Sequence, residues 1–110
     1  MDYVPIKENR DFRRIYSRGK NMVSPVVVCY TLKNRTGQVR MGVTTSKRIG
    51  NAVKRSRSRR VIRAAFRELL PRIKPGNDFI FVARAKTPYV KSTAVQRAME
   101  QQLRKAGILQ

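Results

Sequence analysis

Residues 46–67 read SKRIGNAVKRSRSRRVIRAAFR and combine a dense positive charge with helical apolar spacing. This stretch contains nine lysine or arginine residues and no acidic residue, which is typical of an element that binds a polyanion. A second pattern runs through it, because apolar side chains recur in pairs four residues apart, as one face of an α-helix requires. These side chains are Val61, Ile62, Ala65, Phe66, Leu69 and Leu70. We therefore predict a helix that buries one stripe and presents its charges outward.

The composition of the whole chain agrees with this interpretation. Its 110 residues suffice for one domain, and a hydrophobic fraction of 41% is close to that of an ordinary globular protein. The 26 basic and six acidic residues give a net charge of +20, which must lie on the folded surface. Because such a charge repels itself and favours an anionic partner, nucleic acid is the leading candidate.

Apolar patterns before the basic stretch predict one helix and two strands. Asn9 can cap a first helix that stops at residues 17–19. The nearly continuous apolar run at residues 26–32 is typical of a strand covered on both faces. Alternation at residues 39–44 predicts a second strand. We expect these strands to pair antiparallel through the turn at residues 33–38.

The remaining elements follow from caps and apolar spacing. Asn51 can cap the long basic helix, which should end near Leu70 because a proline follows. Residues 79–83 predict a third strand. Ser92 can cap a last helix, which should end at Gly107. The predicted order is α-β-β-α-β-α, in an α/β (α+β) sandwich that forms a single domain around one small sheet.

Residue types that usually carry catalysis or bind metals are scarce. The chain has no histidine, and its lone Cys29 stands in an apolar strand, where a cysteine is far more often a core residue than a nucleophile. The six acids are scattered without the spacing of a metal site, at Asp2, Glu8, Asp11, Glu68, Asp78 and Glu100. We predict no catalytic residue, no metal site and no small-molecule substrate, so another molecule would have to perform any phosphodiester cleavage.

Membrane association is not expected from the sequence. No apolar run approaches the roughly 20 residues that span a bilayer, and the first residues lack the apolar stretch of a signal peptide. A cationic membrane-active protein fits poorly, because the apolar residues are committed to a core. We therefore expect a cytoplasmic protein without a membrane partner.

Arginines at four-residue spacing dominate the predicted basic helix. One side of the helix carries Arg55, Arg59, Arg63 and Arg67. These arginines are flanked by Lys54, Arg57 and Arg60. A charged face that serves only solubility would normally mix both signs of charge. Because no acidic residue lies among these side chains, they favour contact with nucleic-acid phosphates.

The same residues resemble the signature of the bacterial ribonuclease P protein component, with its arginine-rich helix. The segment SKRIGNAV at residues 46–53 leads into the ordered arginines of residues 55–67. The similarity extends along nearly the whole chain, to residues 9–19, 30–32 and 78–84. One departure is visible, since Ser56 stands where the family's motif usually has asparagine between two arginines.

This resemblance implies a fold and a function. The basic helix would make a left-handed β-α-β crossover, as in one domain of a small-subunit ribosomal protein. The chain would be the RNA-binding, non-catalytic subunit of ribonuclease P, whose catalytic RNA uses Mg²⁺ to remove the 5′ leader from precursor tRNA. The protein alone would bind no cofactor. Its implied contacts with the catalytic RNA are Lys54, Arg55, Ser56, Arg57, Arg59, Arg60, Arg63 and Arg67.

The resemblance also implies a cleft for the leader between the first helix and the sheet. Aromatic rings can stack on unpaired bases of any sequence while nearby cations hold the backbone. The candidate leader-binding residues are Phe12, Tyr16, Tyr30, Lys47, Arg48 and Arg84. The alternative interpretation is that the three rings belong to the core, which we weigh most heavily for Phe12.

A structural ribosomal protein that binds ribosomal RNA is the alternative function. Such a protein would be equally small, basic and built from helices and strands. It would need no leader cleft, so the cleft is the feature that separates the two hypotheses.

Overall fold

A mixed sheet of five strands forms the middle of the fold in the computed structural model, which describes residues 2–110. The strands are β1 (Val4–Pro5), β2 (Lys20–Val23), β3 (Val27–Lys33), β4 (Val39–Thr44) and β5 (Asn77–Ala83). The helices of these residues are α1 (Asn9–Arg18), α2 (Ala52–Leu69) and α3 (Ser92–Lys105), with short 3-10 turns at Lys47–Ile49, Leu70–Arg72 and Thr87–Tyr89. The strand order is β1-β4-β5-β3-β2. The predicted α+β sandwich is therefore confirmed, with two strands added.

The predicted hairpin between β3 and β4 is wrong, because β5 lies between them. Phe81 of β5 stands opposite Cys29 of antiparallel β3 and opposite Val43 of parallel β4. Residues 78–81 of β5 are all buried, which is typical of a strand with neighbours on both edges and cover on both faces. A local hairpin would have left β5 at an edge with unpaired backbone groups, so the non-local pairing is favoured.

Helix α2 connects the two adjacent parallel strands β4 and β5. The parallel register places Met41 opposite Phe79, and α2 packs on the sheet through its apolar stripe. This β-α-β unit agrees with the crossover that the family resemblance implies. The left-handedness of this crossover stays a prediction.

The edge strands β1 and β2 were missed because they carry no clear periodic signal. β1 has two exposed residues and includes Pro5, and three of the four residues of β2 are exposed. Apolar alternation, the signal for a half-buried strand, is therefore absent from both. Backbone pairing to β4 and to β3, respectively, defines them instead.

One of the three predicted helix caps is confirmed. Asn51 caps α2, since its side-chain oxygen accepts a hydrogen bond from the Lys54 backbone N–H at 3.0 Å. Asn9 and Ser92 are instead the first residues of α1 and α3. The extended backbone that a cap requires lies one residue earlier, at Glu8 and Lys91, and neither side chain makes a capping hydrogen bond.

The two faces of the sheet bury separate hydrophobic clusters. Helices α2 and α3 cover the first face, where the Phe66 ring lies 5.7 Å from Phe79 and 5.5 Å from Phe81. The second face carries α1 and a smaller cluster of Ile6, Ile15 and Ile80.

Strand β3 is fully covered on one face only, contrary to the sequence prediction. Val27, Cys29 and Thr31 are buried beneath α2 and α3, whereas Val28, Tyr30 and Leu32 on the α1 side are half-buried. The ten-residue helix α1 is too short to cover the whole second face. Part of that face is therefore open beside α1.

A cluster of charges around the buried Asp78 connects α1 to the sheet. Asp78 of β5 has no exposed side-chain surface, and it accepts hydrogen bonds from Arg14 of α1 at 3.1 Å, Arg40 of β4 at 3.4 Å and Asn34 at 2.8 Å. Arg40 also contacts Asp11 of α1 at 3.1 Å. The sequence shows only scattered acids, so this cluster becomes visible only when the strands are in place.

We expect Asp78→Asn to destabilise the protein by about 3 kcal/mol, because it leaves the partly buried Arg40 guanidinium without one of its carboxylates. The free energy of unfolding from urea titration measures this effect. Glu8→Gln is the matched control: it removes the same charge from an exposed pair with Arg10 and should have a much smaller effect. Equal unfolding midpoints for the two variants would contradict a stabilising role for the cluster.

Candidate nucleic-acid interface

The apolar stripe of α2 is buried as predicted, so its charged residues point away from the core. Val61 is 8% exposed, and Ile62, Ala65, Phe66 and Leu69 are at most 1% exposed. Ser56, Arg57, Arg60, Arg63 and Arg67 are all exposed. The helix therefore presents a basic surface on a backbone that the core holds in place.

Three arginines of α2 also bind neighbouring segments of the protein. Arg55 donates to the Gly50 carbonyl at 2.9 Å, Arg57 to the Pro88 carbonyl at 2.7 Å, and Arg59 to the Thr45 hydroxyl at 2.9 Å. Each guanidinium has five N–H donors, so donors remain for phosphate oxygens. These contacts hold the three arginines in fixed orientations.

The residues at the two ends of this basic surface contact aromatic rings. The Lys54 ammonium lies 5.2 Å from the centre of the Tyr89 ring, and the Arg67 guanidinium lies 5.5 Å from the centre of the Tyr3 ring. By contrast, the side chains of Arg60 and Arg63 make no hydrogen bond or ion pair within residues 2–110. These two side chains are the most available for an external anion.

An open groove of about 890 Å³ lies on the α1 side of the sheet, where that face is uncovered. Its floor includes Val28, Tyr30 and Val82, and Arg48 and Arg84 are among its basic lining residues. Arg84 is oriented by a hydrogen bond to the Ser24 carbonyl at 3.0 Å. Apolar and aromatic groups thus combine with cations in one groove, next to the turn that leads into α2.

Of the six candidate leader-binding residues, the structure brings Tyr30, Arg48 and Arg84 together in the groove. The Tyr16 ring meets the Tyr30 ring edge-on at 4.8 Å and extends the aromatic surface toward α1. Its hydroxyl lies 2.7 Å from the Thr44 hydroxyl. Burial raises the pKa of Tyr16, although the Thr44 hydrogen bond acts in the opposite direction.

Phe12 and Lys47 do not line the groove. The Phe12 ring packs with the α1-side cluster, against Gly42, where an added Cβ would lie 2.9 Å from its Cζ atom. Lys47 is exposed in the turn before α2. The core interpretation therefore describes the position of Phe12 in this structure, and leader binding by either residue stays a prediction.

Neither a metal centre nor a membrane span was found in the part of the chain that the structure describes. Within residues 2–110, no group of three or more His, Cys, Asp or Glu residues is placed to hold a metal ion. No helix in this range combines the length and apolarity needed to cross a bilayer. Cys29 is a free, buried cysteine, and its burial raises the pKa of the thiol.

Comparison with known proteins decides the family. The family described as Ribonuclease P matches residues 3–107. The chain belongs to the ribonuclease P protein family. The ribonuclease P protein component of Clostridioides difficile is 33% identical over 104 residues, which cover 94% of this chain and 91% of that protein. That of a Thermoanaerobacter species is 45% identical over 83 residues, covering 76% of this chain and 72% of that protein.

Solved structures agree with the assignment to the ribonuclease P protein family. The Staphylococcus aureus RNase P protein is 30% identical, with a TM-score of 0.79 and coverage of 99% of this chain and 100% of that one. The Thermotoga maritima RNase P protein, at 24% identity, supports the fold with a TM-score of 0.81 over 96% of this chain and 97% of that one. The chain is therefore an RNA-binding protein subunit of ribonuclease P that takes part in tRNA processing. The ribosomal alternative gains no support.

We expect the double variant Arg60→Ala with Arg63→Ala to weaken binding to a ribonuclease P RNA without destabilising the fold. The slope of log affinity against log salt should fall by about two, because each arginine is expected to neutralise one phosphate. Titration of labelled RNA at several salt concentrations measures this slope. Arg97→Ala with Lys105→Ala removes the same charge from exposed positions on α3 and serves as the control. Identical slopes for the two double variants would contradict a direct role of Arg60 and Arg63.

Proposed function

We propose that this ribonuclease P protein binds the catalytic RNA through α2 and holds the 5′ leader of precursor tRNA in the groove. The single observation that carries the proposal is the composition of the groove, which joins the Tyr30 ring and apolar side chains to Arg48 and Arg84. A folded RNA needs cations for its backbone, and an unpaired strand needs flat apolar surfaces as well. The chain offers cations on α2, and it offers cations together with flat apolar surfaces in the groove.

The basic surface of α2 suits a structured RNA. Its exposed arginines can form bidentate hydrogen bonds with phosphate oxygens, and the tethers of Arg55, Arg57 and Arg59 reduce the conformational entropy that binding would remove. We assign to this surface Lys54, Arg55, Ser56, Arg57, Arg59, Arg60, Arg63 and Arg67. Ser56 is exposed on the helix and offers a short hydroxyl in place of the amide that the family usually has there.

The groove suits a single strand of varied sequence. Every base has a flat face that can stack, so the Tyr30 ring and the adjoining Tyr16 ring can serve leaders without reading their sequence. Arg48 and Arg84 supply charge for the leader phosphates beside these rings. The proximity of the groove to the beginning of α2 would let one protein contact the leader and the catalytic RNA together.

The chemistry is proposed to reside in the RNA subunit, with Mg²⁺ as its metal. Support comes from the donor set of the protein, because arginines already engage the buried carboxylate of Asp78 and the half-buried carboxylate of Glu100. Asp78 contacts Arg14 and Arg40, and hydrogen bonds from Arg104 and Arg72 lower the pKa of Glu100. These carboxylates do not fit a Mg²⁺ site, so we assign to the protein the binding and positioning of RNA. We place this function in the cytoplasm.

We expect Tyr30→Leu to weaken binding of precursor tRNA to the holoenzyme more than binding of mature tRNA. Leucine keeps an apolar side chain but removes the ring, and base stacking is worth roughly 1 to 3 kcal/mol per base. Fluorescence titration of both tRNAs against holoenzyme assembled with the variant measures the difference. Equal losses for the two tRNAs would show a general defect and would contradict leader binding at Tyr30.

A further inference from the structure

A second basic pocket, of about 400 Å³, lies at the other end of the sheet from the leader groove. Its cationic lining residues are Arg14, Arg18, Lys33, Arg35 and Arg40. These side chains come from α1, from β3 and the turn after it, and from β4. The groove lies near Ala83, at the end of β5, and this pocket lies near Asp78, at its start. The seven residues of β5 separate the two sites by about 20 Å.

The charges of this pocket are only partly neutralised by the protein. Asp11 and Asp78 engage Arg14 and Arg40 from beneath. Arg18, Lys33 and Arg35 are exposed, and within residues 2–110 they form no ion pair. Three cations around one concavity repel each other, so an anion placed among them would relieve that repulsion. None of the contacts proposed for α2 or for the leader groove uses these three side chains.

The turn that carries Arg35 is held in shape by a hydrogen-bond network. The Asn34 amide donates to the Gln38 carbonyl at 3.1 Å and to buried Asp78 at 2.8 Å, and its oxygen accepts from the Thr36 N–H at 3.1 Å. The Thr36 hydroxyl accepts from the Gln38 N–H at 3.1 Å. A turn ordered in this way loses little entropy when it binds a ligand.

We propose that this pocket is a second RNA-backbone site, which holds a phosphate of the catalytic RNA while the opposite groove holds the leader. Its cations face outward from an open pocket, as contact with a continuous strand requires, and the ordered turn holds the backbone of Arg35 at the edge of that pocket. With sites at both ends of the sheet, the protein would bridge two RNA segments about 20 Å apart. The inference rests on the proposed function, because the RNA at this site is taken to be the catalytic RNA.

The double variant Arg18→Ala with Arg35→Ala tests this site against the α3 control, Arg97→Ala with Lys105→Ala. Binding to the catalytic RNA alone should weaken about tenfold or more at moderate salt, with a salt slope smaller by about two, whereas the control should change little. The affinity ratio of the holoenzyme for precursor over mature tRNA should stay unchanged. If the test and control variants lose the same affinity for the catalytic RNA, the pocket is only solvated surface charge. If the affinity ratio for precursor over mature tRNA falls, the pocket contacts the leader instead. Either result overturns the proposal.

A cleavage probe attached to a single new cysteine locates the RNA directly. Cys29 is fully buried, so a labelling reagent does not reach it in the folded protein. The labelled thiol would be Gln38→Cys near the pocket or Val23→Cys in the groove. An iron chelate at residue 38 should cut the catalytic RNA, and one at residue 23 should cut the precursor leader. Cuts in the leader from both probes would overturn the proposal. If the parent chain binds no catalytic RNA at all, the proposed function itself fails, and the two failures are thereby distinguished.

Discussion

Burial of one face of α2 against the sheet holds both the core and the basic surface of this protein in place. A net charge of +20 opposes a compact state, and much of that charge lies on this helix. The contacts of Phe66 with Phe79 and Phe81 hold the helix to the sheet despite the repulsion among its arginines. The same burial determines which residues of α2 are exposed, and these exposed residues are the ones that we propose to contact RNA.

The central position of β5 connects this constraint to the binding sites. β5 pairs with both β3 and β4, and its two faces support α2 and α1, respectively. Through Arg14 and Arg40, Asp78 anchors α1 near the start of β5. The α1 side of the sheet is therefore uncovered toward the end of that strand. The groove is therefore a consequence of a short helix held at one end of a longer sheet.

Local patterns in the sequence predicted the elements that local physics determines. The stripe of α2 and its Asn51 cap follow from residues close together in the chain, and both are present. The pairing of β3 and β4 could not be predicted in this way, because it depends on competition with β5, which follows more than 30 residues later. The Asp78 cluster was missed for the same reason, since its members approach one another only after the strands are arranged.

The sequence predicted the residue types of the candidate site, but it predicted their positions and contacts less completely. The family signature led to the correct family, and Tyr30, Arg48 and Arg84 do meet in one groove. Sequence spacing could not show that Arg57 is tethered to the Pro88 carbonyl while Arg60 is free of such contacts within the described chain. It also gave no signal for the second basic pocket, whose cations come from four separate segments.

Reconstitution with a bacterial ribonuclease P RNA shows whether α2 docks this protein on an RNA that performs the chemistry, as we propose. Precursor tRNA cleavage is measured at low Mg²⁺ concentration with RNA alone, protein alone and both together. We expect the protein alone to be inactive and to accelerate cleavage by the RNA. Cleavage by the protein alone, or no acceleration of the RNA reaction, would contradict this proposal.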